Sequence, residues 1–417
     1  MQNNINKIKN VFLIYIIYLF PLFLIIGNAV LNSALFLVLF MYLMNCISEK
    51  RLLHSERFEF KIFLIFYIYL IFNSLIAYEI LPSILRSASY IKFFIFVLVY
   101  LEFFEKQKIN IFKLGIVWIS ILTLLNLDII FQSFMGYDIF GYVSQNPERN
   151  SGFFFDELVA GGFITGLSFI TIQLIKSSKI NNLMVYSFLF FCFICCIISG
   201  ERSNTIKFVI IFLSIPFFLK DFFLNKTHKF FLVFILLLFI PFLYFNKENL
   251  KNRYLNEITL SIDKDLGLTG KYFTSLYGSH TLSAYFILKD NLYFGVGNKN
   301  FRFVCSKYEN DVNKFQRQTD NSLRFDLPSC ATHPHQLYNE FLSEHGLIGS
   351  LIIVTLILTI ILNRIRRHDL SNLNIVSLLY LITVFIPILP SGSFFTSYTS
   401  ALFWLNFLFF LVSDKHK

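Results

Sequence analysis

The stretch 332–367 reads "THPHQLYNEFLSEHGLIGSLIIVTLILTIILNRIRR", and its second half decides the fold. Residues 347–362 carry no charge, and Arg364, Arg366 and Arg367 follow at once. In lipid the backbone must satisfy its own hydrogen bonds, so uncharged apolar runs of roughly 17 to 25 residues read as spanning helices. The first half is polar. It holds three histidines, two of them on either side of a proline, at the mouth of that span.

Outward from this stretch the apolar pattern recurs. The 417 residues are 56% hydrophobic and 15% charged, with 55 Phe and 21 Tyr, whereas an ordinary globular domain carries about 25% charged residues. Period-2 alternation of the kind a barrel needs is missing from the sequence. The chain is therefore predicted to be an all-α, polytopic integral membrane protein. Candidate spans fall at 11–26, 30–47, 62–80, 89–104, 112–133, 157–175, 183–199, 205–219, 230–245, 347–362, 375–390 and 401–412, twelve in all. Lys7 and Lys9 precede the first run, but no small-residue cleavage site follows it, so it reads as a retained helix.

Cations in short loops set the orientation. With the amino terminus inside, one side collects Lys50, Arg51, Lys106, Lys113, Lys176, Lys226, Arg364, Arg366, Arg367 and others, while the opposite side holds Arg86, Lys92, Arg149, Arg202 and Lys207. Both termini are expected in the cytoplasm. The net charge of +10 is then topological; membrane lipids are the implied partners, and no nucleic acid is.

One connection departs from the short loops. Residues 246–346 fall on the outer side between the ninth and tenth spans, far beyond ordinary loop lengths. Function is expected there, on short helices lying against the membrane surface within a single membrane domain, 1–417. Within it, 305–330 reads as a polar, hairpin-like segment. Cys46, Cys192, Cys195 and Cys196 lie in apolar runs and read as buried hydrophobes. Cys305 and Cys330 bracket the polar segment in a compartment where disulfides persist, and a bridge between them is expected.

His335 and Gln336 are followed by nine residues, then Gly346, two more, and Gly349. This spacing resembles the "H-[NSQ]-x9-G-x-x-[GTY]" pattern of the O-antigen ligase family of membrane glycosyltransferases. Around it, "PHQLYNEFLSEHGLIG" (334–349) is similar to the family's wording, as is the upstream "DNLYFGVGNKNF" (290–301), and the signature region runs over 291–390. In "SGERSNTIKF" (199–208), Arg202 sits where the family places a ligand-binding arginine. The resemblance implies a fold like that of C-type membrane glycosyltransferases and transfer of a glycan from undecaprenyl diphosphate to an acceptor sugar at the periplasmic face. A ligase would use lipid A–core as acceptor, and an O-antigen polymerase another lipid-linked repeat unit. It also implies no cofactor and no metal.

The residues can be read for chemistry in the same terms. Pro334 favours extended backbone before it and helix after it, so His335 is expected at the start of a short outer helix, 336–345, that Gly346 ends. A neutral imidazole there can take a proton from a sugar hydroxyl. Gln336 and His333 are neighbouring candidates for substrate contact, while His345 reads as a filler on the interfacial face. Arg202 and Arg149, the latter in "NPERN" (146–150), flank helix mouths where guanidinium forks could meet phosphate oxygens. The second family arginine has no clean match; Arg253 is nearest by order, and His280 is expected to occupy part of that site. A flippase-like transporter is the remaining reading. It would need charged residues lining a path through the bilayer, and Asp128, Glu102, Lys92 and Lys207 lie towards span ends.

Overall fold

The computed structural model describes residues 2–146, 148–176, 181–219, 267–320, 326–367, 369–387 and 389–413. All regular structure among them is helical. The chain opens with α1 (Gln2–Tyr18) and α2 (Phe20–Ile26), bent by 60° at Leu19. Pro21 stands in the first turn of α2, where its missing N–H costs nothing. Then come α3 (Asn28–Glu49), α4 (Phe58–Leu75), α5 (Ile80–Ser89), α6 (Ile91–Glu105) and α7 (Ile111–Met135). The last is capped by Asn110, whose side chain accepts from the Lys113 N–H, and stopped by Gly136 in the left-handed region. α8 (Ala160–Lys176), α9 (Asn182–Ile198) and α10 (Arg202–Phe218) follow.

Among the described residues, five helical stretches are long and apolar enough to cross a membrane: α3, α4, α5 with α6, α7, and 337–367; the bent α1–α2 pair makes a sixth if it is one span. Four further apolar helices are shorter, namely α8, α9, and those at 372–384 and 397–411. The stretch 375–390, expected as a span, is helical only to Val384. The expected ninth span, 230–245, lies outside the described residues, as does the start of the long loop.

Beyond residue 266 the chain builds a small lobe from α11 (Gly267–Phe273), α12 (Leu276–Asp290), α13 (Phe301–Val304) and α14 (Glu309–Thr319). It has its own core of Ala284, Ile287, Val296, Phe301, Val304, Cys305 and Tyr308. The segment expected to be hairpin-like is helical in its first half. Val312 and Gln316, four apart, are its buried face, and Glu309 and Asp311 at the start with Arg317 at the end suit the helix dipole. Cys305 and Cys330 are joined, with their Cα atoms 5.0 Å apart.

The chain returns to the bundle through α15 (Leu337–Arg367), α16 (Asn372–Val384) and α17 (Ser397–Leu411). α17 is apolar on every side and accordingly sits in the middle, where Trp404 meets Phe94 edge-on at 5.1 Å and Phe63 at 5.5 Å.

α15 is two helices joined at a break. Gly346 has φ +66° and ψ −170°, a region essentially closed to residues with a Cβ. The break frees backbone groups that a continuous helix would pair, and the turn 291–297 pairs them. The N–H groups of Val296 and Gly297 donate to the carbonyls of Ser343 (3.0 Å) and Glu344 (2.9 Å), while those of Leu347 and Ile348 donate to Leu292 (2.8 Å) and Tyr293 (3.0 Å). α4 closes the joint from its other side. Asn73 donates to the Phe294 carbonyl (2.9 Å) and accepts from the Asn298 N–H (2.8 Å), and the Tyr69 hydroxyl lies where any Cβ on Gly349 would stand.

Gly346→Ala should therefore unseat the lobe. A Cβ there collides with the Tyr293 backbone, and the dihedrals alone cost about 1–3 kcal/mol. Thermal unfolding in detergent should show a clear drop in midpoint. An unchanged midpoint would mean the joint tolerates an ordinary residue.

Candidate functional site

The site is built where extended chain from Cys330 meets the first turn of α15. His335 adopts φ +52°, a left-handed conformation that histidine visits more readily than most residues but that still needs support. Support comes from the Ser391 N–H, which donates to the His335 carbonyl at 2.8 Å. The helix begins at Leu337, one residue later than expected, because Gln336 caps it: its Oε1 accepts from the Asn339 N–H at 2.8 Å. The Nε2 of Gln336 donates to the Pro387 carbonyl at 2.7 Å. Both ends of that amide thus position the turn, and Tyr338 adds a hydroxyl bond to the Phe385 carbonyl at 2.8 Å.

Three imidazoles share this corner. The His335 ring lies 4.1 Å from that of His333 and 5.2 Å from that of His280 on α12, with Tyr277 edge-on at 6.1 Å. α12 is held against α15 by Asn339, which donates to Thr281 Oγ1 at 2.8 Å. Burial, with the neighbouring His335, pushes His280 down to about 4. His333 falls to about 3 through burial, then His335 and the ammonium of Lys299. Burial lowers His335 as well. All three are neutral at physiological pH and can accept protons.

Behind the histidines lies a buried polar network that the sequence reading missed. Glu340 and Glu344, one turn apart on α15, are 1% and 0% exposed. Glu344 accepts from the N–H groups of Lys299 (2.7 Å) and Phe301 (3.2 Å), fixing the "GNKNF" turn. Glu340 accepts from the Ser393 hydroxyl and from the Phe394 N–H (2.8 Å), and Lys299 Nζ stands 3.8 Å from it while donating to Ser393 at 2.5 Å. The i, i+4 carboxylates facing "NKN" were the available signal.

The arginines occupy another part of the same bundle end. Arg202 is the first helical residue of α10 and half-buried. Arg149 donates to the Leu158 carbonyl at 2.8 Å and pairs with Glu201 at 3.8 Å. Glu201 also accepts from the Gly161 N–H at 2.8 Å and from Asn204. The 146–150 and 199–202 loops are joined by Asn150, which donates to the Ile198 carbonyl at 2.7 Å. Arg253 lies outside the described residues. α10 packs along α16, the helix whose end carries Phe385 and Pro387, the partners of Tyr338 and Gln336.

His345 differs from expectation. It is fully buried, with Nδ1 3.2 Å from the Tyr69 hydroxyl and its ring 5.1 Å from Phe395. The break at Gly346 turns this end of the helix into the bundle, so the face expected to be interfacial is internal.

Truncation of His345 to Ala should thus cost about 2–4 kcal/mol by leaving a cavity and an unpaired tyrosine hydroxyl, seen as lost thermal stability. Acid should also loosen the lobe. Because His280 and His333 titrate below their ordinary 6.5 in the folded chain, their contribution is complete above about 6.5 and is lost as the pH falls towards 4 and 3. Melting midpoints across that window should decline less steeply in His280→Phe than in the wild type; equal slopes would dismiss this linkage.

A search of curated proteins finds no match to the chain. Residues 187–354 match the family model described as O-antigen ligase, a region that contains Arg202, the histidine cluster and the break at Gly346. The matched region is thus an O-antigen ligase-like domain in a chain with several apolar helices of membrane-spanning character, and the match supports ligase- or polymerase-type glycosyl transfer in lipopolysaccharide biosynthesis, with lipid-linked glycan and an acceptor as the general substrates.

Proposed function

We propose that the chain is an O-antigen ligase, transferring a glycan from undecaprenyl diphosphate to a sugar of lipid A–core at the periplasmic face of the bacterial inner membrane. The observation that carries this reading is His335: a neutral imidazole in a strained backbone conformation, ringed by two more imidazoles at the mouth of α15. In this reading all of 1–417 is one membrane domain of twelve spans with both termini cytoplasmic. Residues 246–346 form the periplasmic loop, and 291–390 the signature region.

The reaction needs three things from the protein. The acceptor hydroxyl must be oriented, its proton must go somewhere, and the charge developing on the diphosphate must be neutralised. His335 takes the proton as the new glycosidic bond forms, and the bond from the anomeric carbon to the diphosphate breaks. Arg202 meets the departing diphosphate, helped by the partial positive charge at the start of α10. Arg149 is held in the adjoining loop by Glu201 and serves as the secondary cation. His280 and His333 line the acceptor side, and Gln336 keeps the turn in register. A diphosphate is already a good leaving group, so the proposed transfer is metal-independent and uses no cofactor.

His335→Ala should lower transfer by about 10²–10⁴-fold with folding intact, since that is the usual contribution of a positioned base. Arg202→Lys should weaken donor use, because lysine keeps the charge but loses the fork that holds two phosphate oxygens. The assay is purified enzyme with a polyprenyl-diphosphate glycan and a sugar acceptor, chelator present throughout. Near-normal turnover by His335→Ala would remove the base, and activity that a divalent ion restores would end the metal-independent reading. In a deletion strain, lipopolysaccharide gels should show bare core with polymer stranded on the carrier. Core bearing a single repeat would instead assign the chain to polymerisation.

A further inference from the structure

Lys92 plays no part in the site above, yet it is a cation buried within the bundle. It lies in the first turn of α6, 4% exposed. Its ammonium stands 4.8 Å from the Phe36 ring centroid on α3 and 5.3 Å from that of Phe93. Among the described residues Nζ donates no hydrogen bond and pairs with no carboxylate. The charge that bears on it is of like sign, the guanidinium of Arg86 in the last turn of α5.

An ammonium has three donors. Aromatic faces offset part of the loss of water but supply no acceptor, and an ionisable group buried at membrane depth is retained where it meets a partner. Two cations with no intervening acid define a site for an anion. Its position narrows the choice. Asn32, one turn from Phe36 on α3, accepts from Ser397 at 2.9 Å, and Tyr90 packs on Phe395 at 5.4 Å. The cations therefore stand just below the end of the bundle that carries the lobe. From Phe36 an exposed apolar stripe runs down α3 through Phe40, Leu43 and Ile47, a track for hydrocarbon beneath a charged head.

We infer that Lys92 and Arg86 bind the phosphate group of a membrane lipid whose chain lies along α3. Arg86, exposed at the mouth, holds the outer phosphate oxygens, and Lys92 holds the deeper ones. Two lipids carry this chemistry, a prenyl diphosphate and an anionic phospholipid. The inference concerns binding alone, so it stands or falls independently of the transfer reaction.

The full chain in neutral detergent would be titrated with farnesyl diphosphate, with phosphatidylglycerol, and with diacylglycerol as a control lacking phosphate, following thermal stability. Saturable stabilisation by one or both phosphate-bearing probes, absent with diacylglycerol, is expected, and the responding probe identifies the source. Lys92→Met should raise the half-saturating concentration by about tenfold or more, and Lys92→Arg by less. Without ligand, Lys92→Met should be as stable as the wild type or more so, because a buried unpaired charge has been removed. A Lys92→Met protein that is destabilised yet responds like the wild type would make the lysine a structural cation and overturn the assignment, as would a wild type that neither probe stabilises. If Lys92→Met gives no folded protein, Arg86→Ala decides: weaker saturation supports the site, and an unchanged response overturns it.

Discussion

The four backbone hydrogen bonds across the break in α15 are the joint on which the lobe, the histidines and the bundle depend. An interrupted helix exposes carbonyls at one end and N–H groups at the other, and inside a protein these must find partners. Here a single turn supplies both sets, accepting from Leu347 and Ile348 and donating to Ser343 and Glu344. The bond that ends one helix and the bond that begins the next are thus made by the same six residues of chain. This is the physical reason for two distant sequence segments, "LYFGVGN" and "HGLIG", to be one structural unit.

The joint dictates the direction of everything N-terminal to it. It points residues 337–345 of α15 back into the bundle, which buries Glu340, Glu344 and His345 and leaves His335 at the lip. Buried carboxylates are tolerated only when their oxygens are occupied. Glu344 is occupied by the turn that makes the joint, and Glu340 by the 393–394 loop, whose neighbour Ser391 holds the His335 carbonyl. The left-handed turn at His335 is thus tied, through Ser391 and the adjoining 393–394 loop, to Glu340 and Lys299 and so to the turn that makes the break.

The same geometry governs electrostatics. Packing α12 against α15 puts His280 beside His333 and His335 in a partly dehydrated corner, where three adjacent imidazolium ions would be doubly disfavoured, by burial and by one another. The cluster stays neutral, as a proton acceptor must. Arg149 and Arg202 are carried by other segments, the loops that open α8 and α10.

By itself the sequence determined the helical class, the apolar stretches and the residues of the motif, because helix formation in lipid is dictated by local composition and a motif by spacing. His335, Gly346, Gly349 and the Cys305–Cys330 segment were all legible in this way. The depth of His345 was not, since a histidine on an amphipathic stretch looks interfacial until a bend turns its face inward. Nor was the part played by Gln336, whose amide is consumed by the Asn339 N–H and the Pro387 carbonyl, the latter contact being fifty-one residues away in sequence. The polar network of Glu340, Glu344, Lys299 and Ser393 depends on contacts between segments 43 to 94 residues apart. Periodicity and composition report only on neighbours along the chain, and only tertiary structure decides which distant polar groups are buried together.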